Sequence, residues 1–169
     1  MQFNDMRGYI DVLRKENLLH DLDIQLNVAR ETSELQALMR HLHNDNGPAL
    51  MLNNLEGYNM PEVPLLFNPY GTRERTAMIL GERDPLKAKA KHANVLADQS
   101  SWIEPNVMSK EDSPCKQNII SEKNIDLAKQ LPHAWFGKEG PSYITNAIVI
   151  TKDPETGIAN TGCYRRRIR

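Results

Sequence analysis

Apolar and polar residues change their spacing several times along this chain, and each change marks a predicted element. Phe3, Met6, Ile10 and Leu13 recur at three and four, with Asn4 or Asp5 as cap, which predicts an amphipathic helix to about Asn17. Leu18, His20, Leu22, Ile24, Leu26 and Val28 then alternate with polar residues, the period of a half-buried strand. Thr32 or Ser33 caps a second helix, whose Leu35, Leu38, Met39 and Leu42 form a narrow stripe that ends near Asn46-Gly47. Pro48 to Asn53 is a short apolar run that reads as a strand buried on both faces, and Val63 to Phe67 is another, weakened by Pro64. Thr72 opens a helix to Gly81, and Asp84-Pro85 opens a further one through Leu96. This alternation predicts an α/β fold, a sheet covered by helices.

Residues 99 to 118 hold no sustained period: Ser100, Ser101, Pro105, Ser109, Ser113 and Pro114 are scattered among charges, the pattern of a connector. A domain boundary is placed there, with an amino-terminal αβα domain over 1–110 and a second domain beginning at 111. Beyond it, Cys115 to Ile120 reads as a strand, Asn124 to Gln130 as a turn or short helix, and His133 to Gly140 as a loop. Tyr143 to Thr151 is β-branched and apolar, Asp153-Pro154-Glu155-Thr156-Gly157 is turn chemistry, and Asn160 to Arg165 starts a return strand. The whole predicts a hairpin.

Composition narrows the function classes. With 169 residues, a formal net charge of -1 and 25% charged residues, no global field recruits nucleic acid or an acidic membrane surface. Two cysteines, a polar start and no apolar run long enough to span a bilayer point to a reduced, cytoplasmic protein. His41 and His43 are two apart on a predicted helix, while His20, His92 and His133 stand alone, so zinc is not supported. His133, in the loop before the hairpin, has two readings, an approach to the pocket and the commoner one of a surface-loop histidine. Neither GxGxxG nor GxxxxGK[ST] occurs, which disfavours the nucleotide folds that carry those signatures.

Candidate chemistry concentrates in the second arm of the hairpin. Asn160 offers a hard oxygen ligand, Gly162 a close backbone approach, and Arg165, Arg166, Arg167 and Arg169 fixed positive charge. Those are the requirements of a phosphate-bearing ligand held partly through a metal ion. Each has a plainer reading: Asn160 as a turn residue, the arginines as a solvated basic tail, Thr145 as an ordinary strand residue, Cys163 as a small buried filler. For Arg166, Arg167 and Arg169 the plainer reading is preferred.

Tyr143-Ile144-Thr145, Asp153-Pro154-Glu155-Thr156-Gly157 and Asn160-x-Gly162-x-Tyr164-Arg165 resemble the UbiD-type decarboxylases. So do Asn4-Asp5-Met6-Arg7, Gly47-Pro48-Ala49-Leu50, Glu56-Gly57-Tyr58-Asn59-Met60-Pro61, Asn68-Pro69-Tyr70-Gly71-Thr72 and Ser113-Pro114-Cys115-Lys116-Gln117, in the same order. Members are much longer, so the resemblance is to their amino-terminal portion. It implies that 111–169 begins a split β-barrel, related to flavin-reductase barrels, that houses prenylated FMN. It implies also that Asn160 ligates a Mn²⁺ or Mg²⁺ ion on the cofactor phosphate. Arg165 would stand beside the flavin as the catalytic arginine facing the substrate carboxylate. Thr145, Thr161, Gly162, Cys163 and Tyr164 would line the cofactor, with Asn160 and Arg165 bordering one half-pocket.

The implied function is reversible, non-oxidative decarboxylation of an aromatic or α,β-unsaturated acid. The implied partners are a flavin prenyltransferase as cofactor supplier and either further copies of the chain or a complementing subunit. The turn sequence and the His133-Ala134-Trp135-Phe136 context look closer to members acting on small aromatic acids than to those acting on polyprenylated hydroxybenzoate. In the family a histidine, glutamates and a phosphate-binding lysine further along complete the site, so this chain alone is expected neither to hold the cofactor tightly nor to decarboxylate. It reads as a fragment or a small subunit. Competing readings are a non-catalytic assembly module and an FMN-binding reductase-like barrel.

Overall fold

The computed structural model describes residues 3–27, 38, 42, 47–56, 58, 62–131, 133 and 143–168, and side chains at all of these except 145 and 146. Backbone contacts divide the chain into two compact units. The first takes in Met1–His20, Asn46–Ala49 and Asn68–Ile125, the second Asp21–Asp45, Leu50–Phe67 and Asp126–Arg169.

In the first unit, helix α1 (Met6–Lys15) begins where the Asp5 side chain accepts the Gly8 N–H at 2.8 Å, and it carries Arg14 and Lys15 in its last turn, opposite in sign to the helix end. Asn17, at φ 56, turns the chain out of it. The buried face is Tyr9 and Leu13, four apart, whereas Met6 is 46% exposed, so the predicted stripe is rotated about the axis. The Tyr9 hydroxyl donates to the Pro69 carbonyl at 2.9 Å and lies 3.2 Å from that of Arg75. Arg75, itself 2% exposed, donates Nη1–H to the Gly47 carbonyl at 2.8 Å and Nη2–H to that of Asn68 at 3.2 Å. Asn68 Nδ2 donates to the Gly47 and Pro48 carbonyls. A Cβ on Gly71 would stand 2.1 Å from Asn68 Oδ1 and 2.6 Å from Arg75 Nη2. The Asn68-Pro69-Tyr70-Gly71-Thr72 motif is thus a packed polar knot that only glycine can close.

Helix α2 (Arg73–Ile79) follows it, capped by Thr72, and helix α3 (Pro85–Ala97) starts at Asp84, whose carboxylate accepts the N–H groups of Leu86 and Lys87. Both starts agree with the sequence reading. Ala88 is the buried residue of α3, and Leu86, Val95 and Leu96 are exposed.

The strands are short. β1 (Leu19–Leu22), β3 (Ala49–Leu52) and β5 (Leu65–Phe67) form one sheet in the order β1-β3-β5, and β2 (Leu26–Asn27) pairs in parallel with β4 (Leu55–Glu56). β3 is buried at every position, as its continuous apolar run predicts, and pairs antiparallel with β5. In the second unit Leu26, Leu50, Leu52, Leu55 and Tyr58 make a core, with Leu22, Leu38, Leu42, Leu65 and Phe67 packed against it. Each leucine so buried contributes about 1.5–3 kcal/mol.

Two expectations change. The strand predicted over 18–28 is broken between β1 and β2, because the Asp23 carboxylate and carbonyl take up Asn53 and Asn54 side-chain amides there, and Ile24 turns outward at 63% exposure. The strand predicted over 115–120 is absent: Pro114–Lys116 is a 3-10 turn, and Ile119 is 70% exposed with no neighbouring strand to pair with. The second predicted helix lies almost wholly outside the described residues, with Leu38 and Leu42 helical, and the 133–140 loop is described only at His133. A short helix α4 (Leu127–Gln130) falls where a turn or helix was expected.

The chain then enters β6 (Tyr143–Lys152) and β7 (Ala159–Arg167), a two-stranded antiparallel ribbon. Among the described residues no further strand joins it, and the fold is a mixed α/β one. No described helix is long and apolar enough to cross a membrane.

Candidate functional site

Asp153 fixes the turn of the ribbon. Its Oδ1 accepts the N–H groups of Glu155 and Thr156 at 2.8 Å each, its own N–H donates to the Ile158 carbonyl at 2.9 Å, and Gly157 sits at φ 72, where glycine alone is unstrained. The Thr156 and Glu155 amides favour the carboxylate and hold the Asp153 carboxyl below its ordinary pKa.

Across the ribbon Tyr143 pairs with Arg167, Ile148 with Cys163, Val149 with Gly162 and Thr151 with Asn160. The irregularity sits on β6, where Thr145 and Asn146 intervene between Ile144 and Ala147 opposite the single Arg165. β7 itself is unbulged. Its side chains therefore alternate, with Asn160, Gly162, Tyr164 and Arg166 on one face and Thr161, Cys163, Arg165 and Arg167 on the other. All of these except Gly162 are exposed. Asn160 and Arg165, expected to border one half-pocket, stand on opposite faces of the ribbon.

On the first face the Tyr164 ring folds over Gly162: a Cβ there would meet ring carbon Cε2 at 2.4 Å. The Arg166 guanidinium lies 5.4 Å from the centre of that ring. The Asn160 side chain forms no hydrogen bond among the described residues, so its amide oxygen is open to a ligand. On the other face the Arg165 guanidinium stacks 4.5 Å from the centre of the Tyr143 ring, a contact of about 0.5–1 kcal/mol at an exposed site. The stack steadies the plane and leaves its N–H edge open, the geometry that receives a carboxylate in two parallel hydrogen bonds. Neither tyrosine was singled out for this role in the sequence, where aromatic residues in a strand carry no mark of what they face.

Cys163 is exposed, not the buried filler expected. Thr145 lies in β6 by its backbone, and its side chain falls outside the described residues. Among the described residues no group of three or more His, Cys, Asp and Glu side chains can hold a metal ion. Asn160 alone offers one neutral oxygen, and divalent ions are held by several converging, mostly charged donors. The residues present therefore do not make a metal site by themselves.

His133 also departs from expectation, being 8% exposed. Tyr58 reaches it in the second unit, its hydroxyl donating to the His133 carbonyl and accepting the His133 N–H. His133 Nδ1 lies 2.8 Å from the Leu131 carbonyl, an acceptor, so the proton sits on Nδ1.

Two family models account for most of the chain: the 3-octaprenyl-4-hydroxybenzoate carboxy-lyase N-terminal domain over residues 10–92, and the Rift-related domain of the same enzyme over 106–169. The chain belongs to the UbiD family. Its whole length superposes on vanillic acid decarboxylase from Sedimentibacter hydroxybenzoicus in closed form, with 28% identity and a TM-score of 0.82, covering 100% of this chain and 36% of that one. The UbiD-class enzyme HmfF from Pelotomaculum thermopropionicum, in an evolved dimeric form in complex with prFMN, matches with 26% identity and a TM-score of 0.76 over 94% of this chain and 34% of that one. HmfF in complex with FMN matches with 26% identity and a TM-score of 0.75, again over 94% of this chain and 33% of its own. The chain thus spans about a third of the length of these solved relatives. It is homologous to the amino-terminal part of UbiD-class decarboxylases.

Proposed function

We propose that this chain forms part of a reversible, non-oxidative decarboxylase acting on an aromatic or α,β-unsaturated carboxylic acid with prenylated FMN. The observation that carries the reading is the superposition of the whole chain on vanillic acid decarboxylase. Residues 1–110 form the amino-terminal α/β domain in this reading and 111–169 begin the cofactor-binding barrel. Small aromatic acids are the favoured substrates.

Prenylated FMN supplies the electron sink or cycloaddition partner when bound. Within this chain, Arg165 receives the substrate carboxylate on its open edge, and its stack on Tyr143 keeps the guanidinium plane fixed while it does so. Thr145, Thr161, Gly162, Cys163 and Tyr164 border the cofactor. Asn160 gives one oxygen to a Mn²⁺ or Mg²⁺ ion whose other ligands come from residues outside this chain. A ligand engaging both Asn160 and Arg165 passes around the edge of β7, since they occupy different faces.

The 169-residue chain, incubated anaerobically with prenylated FMN and Mn²⁺, then emerges colourless from desalting and releases no CO₂ from vanillate. The same chain, joined to a segment that supplies the family's histidine and glutamates, retains flavin absorbance and releases CO₂. Absence of both from a longer product carrying the histidine and glutamates would overturn the reading.

A second reading, an assembly module, is favoured by Ile148, Ile150 and Ile158, exposed at 65%, 73% and 69% on the ribbon and its turn. Sedimentation of the chain alone tests it. A concentration-dependent dimer, abolished by Ile148→Ser with Ile150→Ser, supports assembly, and a monomer at all concentrations removes it.

A further inference from the structure

Helices α2 and α3 enclose an open cleft of about 480 Å³ within the first unit, a size typical of small-molecule sites. Its floor is Ala77, Leu80, Pro85 and Ala88, and the Tyr70 side chain stands beside it. At its mouth are Arg73, Lys89 and His92, all exposed. The side chains of these three form no hydrogen bond or ion pair with the described residues. No aspartate or glutamate lines the cleft. Of the acids near in sequence, Glu82 faces Lys91 at 3.6 Å and Asp84 caps α3, while Glu74, next to Arg73 in the first turn of α2, lies outside the lining. The two threonine hydroxyls of the lining are engaged, since Thr72 Oγ1 accepts the Arg75 N–H and Thr76 Oγ1 donates to the Thr72 carbonyl at 3.0 Å.

An apolar floor with an aromatic wall and a mouth of uncompensated cations suits a ligand that is flat and apolar at one end and anionic at the other. The geometry points to a binding site for a small aryl carboxylate in this cleft, its ring on the Ala77–Ala88 floor and its carboxylate between Arg73 and Lys89. Each half of the ligand is needed. A bare anion gains nothing from the floor, and a neutral arene leaves the cations unpaired. The inference does not rest on the decarboxylase reading, because neither a flavin nor turnover enters it.

The test is a titration of the isotopically labelled 169-residue chain with benzoate, read from backbone amide shifts along α2 and α3. Inorganic phosphate and benzyl alcohol serve as probes of each half alone. Benzoate should saturate, with shifts centred on Thr76, Ala77 and Ala88, and bind at least about tenfold more tightly than either probe. Arg73→Gln with Lys89→Gln, both at exposed positions, should weaken benzoate by about tenfold and leave the amide dispersion of the folded chain intact. A non-saturating response, equal affinity for phosphate, or undiminished benzoate binding in the double variant would each overturn the assignment.

Discussion

Tyr58 holds both backbone polar groups of His133: its hydroxyl lies 2.5 Å from the carbonyl oxygen and 3.2 Å from the amide nitrogen, with the two rings edge to face at 5.4 Å. One hydroxyl thus satisfies a buried donor and a buried acceptor. Tyr58→Phe keeps the ring and strands both groups, and should cost about 2 kcal/mol. A lower urea midpoint with an unchanged m-value would show it, and an unchanged midpoint would mean that water takes the place of the hydroxyl.

Tyr9 predicts an alkaline loss of stability. Burial pushes its hydroxyl from 10.0 up to about 12, with the positive charge of Arg75 acting against the rise. In the unfolded chain the group loses its proton at its ordinary pKa, so the folded state binds more protons between those two values. The stabilisation is complete below pH 10.0, and it falls as pH rises towards about 12 by about 2–3 kcal/mol in all. Chemical denaturation across that window should show the decline. Tyr9→Phe should flatten it while costing stability at neutral pH through the lost bond to Pro69.

Among the described residues, buried Arg75 has two carbonyls as partners, no carboxylate, and no partner for its Nε. Removing the guanidinium frees the Gly47 and Asn68 carbonyls but also relieves the burial of a charge, so Arg75→Met should cost a net of about 2 kcal/mol. Arg75→Lys cannot fork across both oxygens and should recover less than half of that. Thermal unfolding of the three proteins side by side decides it; equal stability of the lysine and arginine forms would deny the fork its role.

Asn160 and Arg165 offer a test of whether one ligand joins two faces. In the chain joined to a segment that supplies the remaining ligands, each single alanine variant should weaken flavin retention by about tenfold. Their effects should be less than additive if a single phosphorylated flavin bridges them, and strictly additive if the two bind separate species. Arg165→Lys should behave as Arg165→Ala in turnover, because the stack on Tyr143 and the two-pronged edge are both lost.

The helices were readable because their ends are chemical. Thr72 and Asp84-Pro85 announce α2 and α3 by capping groups that act over three residues. Tyr9 was missed because Met6, an apolar residue of the right spacing, drew the predicted face towards itself. The strands were harder, since a strand exists only with a partner. Ile119 and Ile120 have the branched side chains of a strand and no ladder to join, whereas Leu55 and Glu56 form β4 only because Leu26 and Asn27 lie beside them.

At the ribbon, the residue types and the hairpin were legible, and the facing was not. An odd spacing of five sends Asn160 and Arg165 apart in a regular strand, while one bulge between them would have brought them together. The extra residue lies in β6, and no composition marks it.

The bonds that close the Asp153 turn join residues only a few positions apart, with Gly157 N–H donating to the Asp153 carbonyl as their widest loop but one. Closing so short a loop is fast, on the order of microseconds for a hairpin, and needs nothing from the amino-terminal residues. An isolated pair of strands is marginal in water at best, so this ribbon is quick to assemble and easily lost again. During synthesis it would open and close many times, held by nothing but its own turn and ladder.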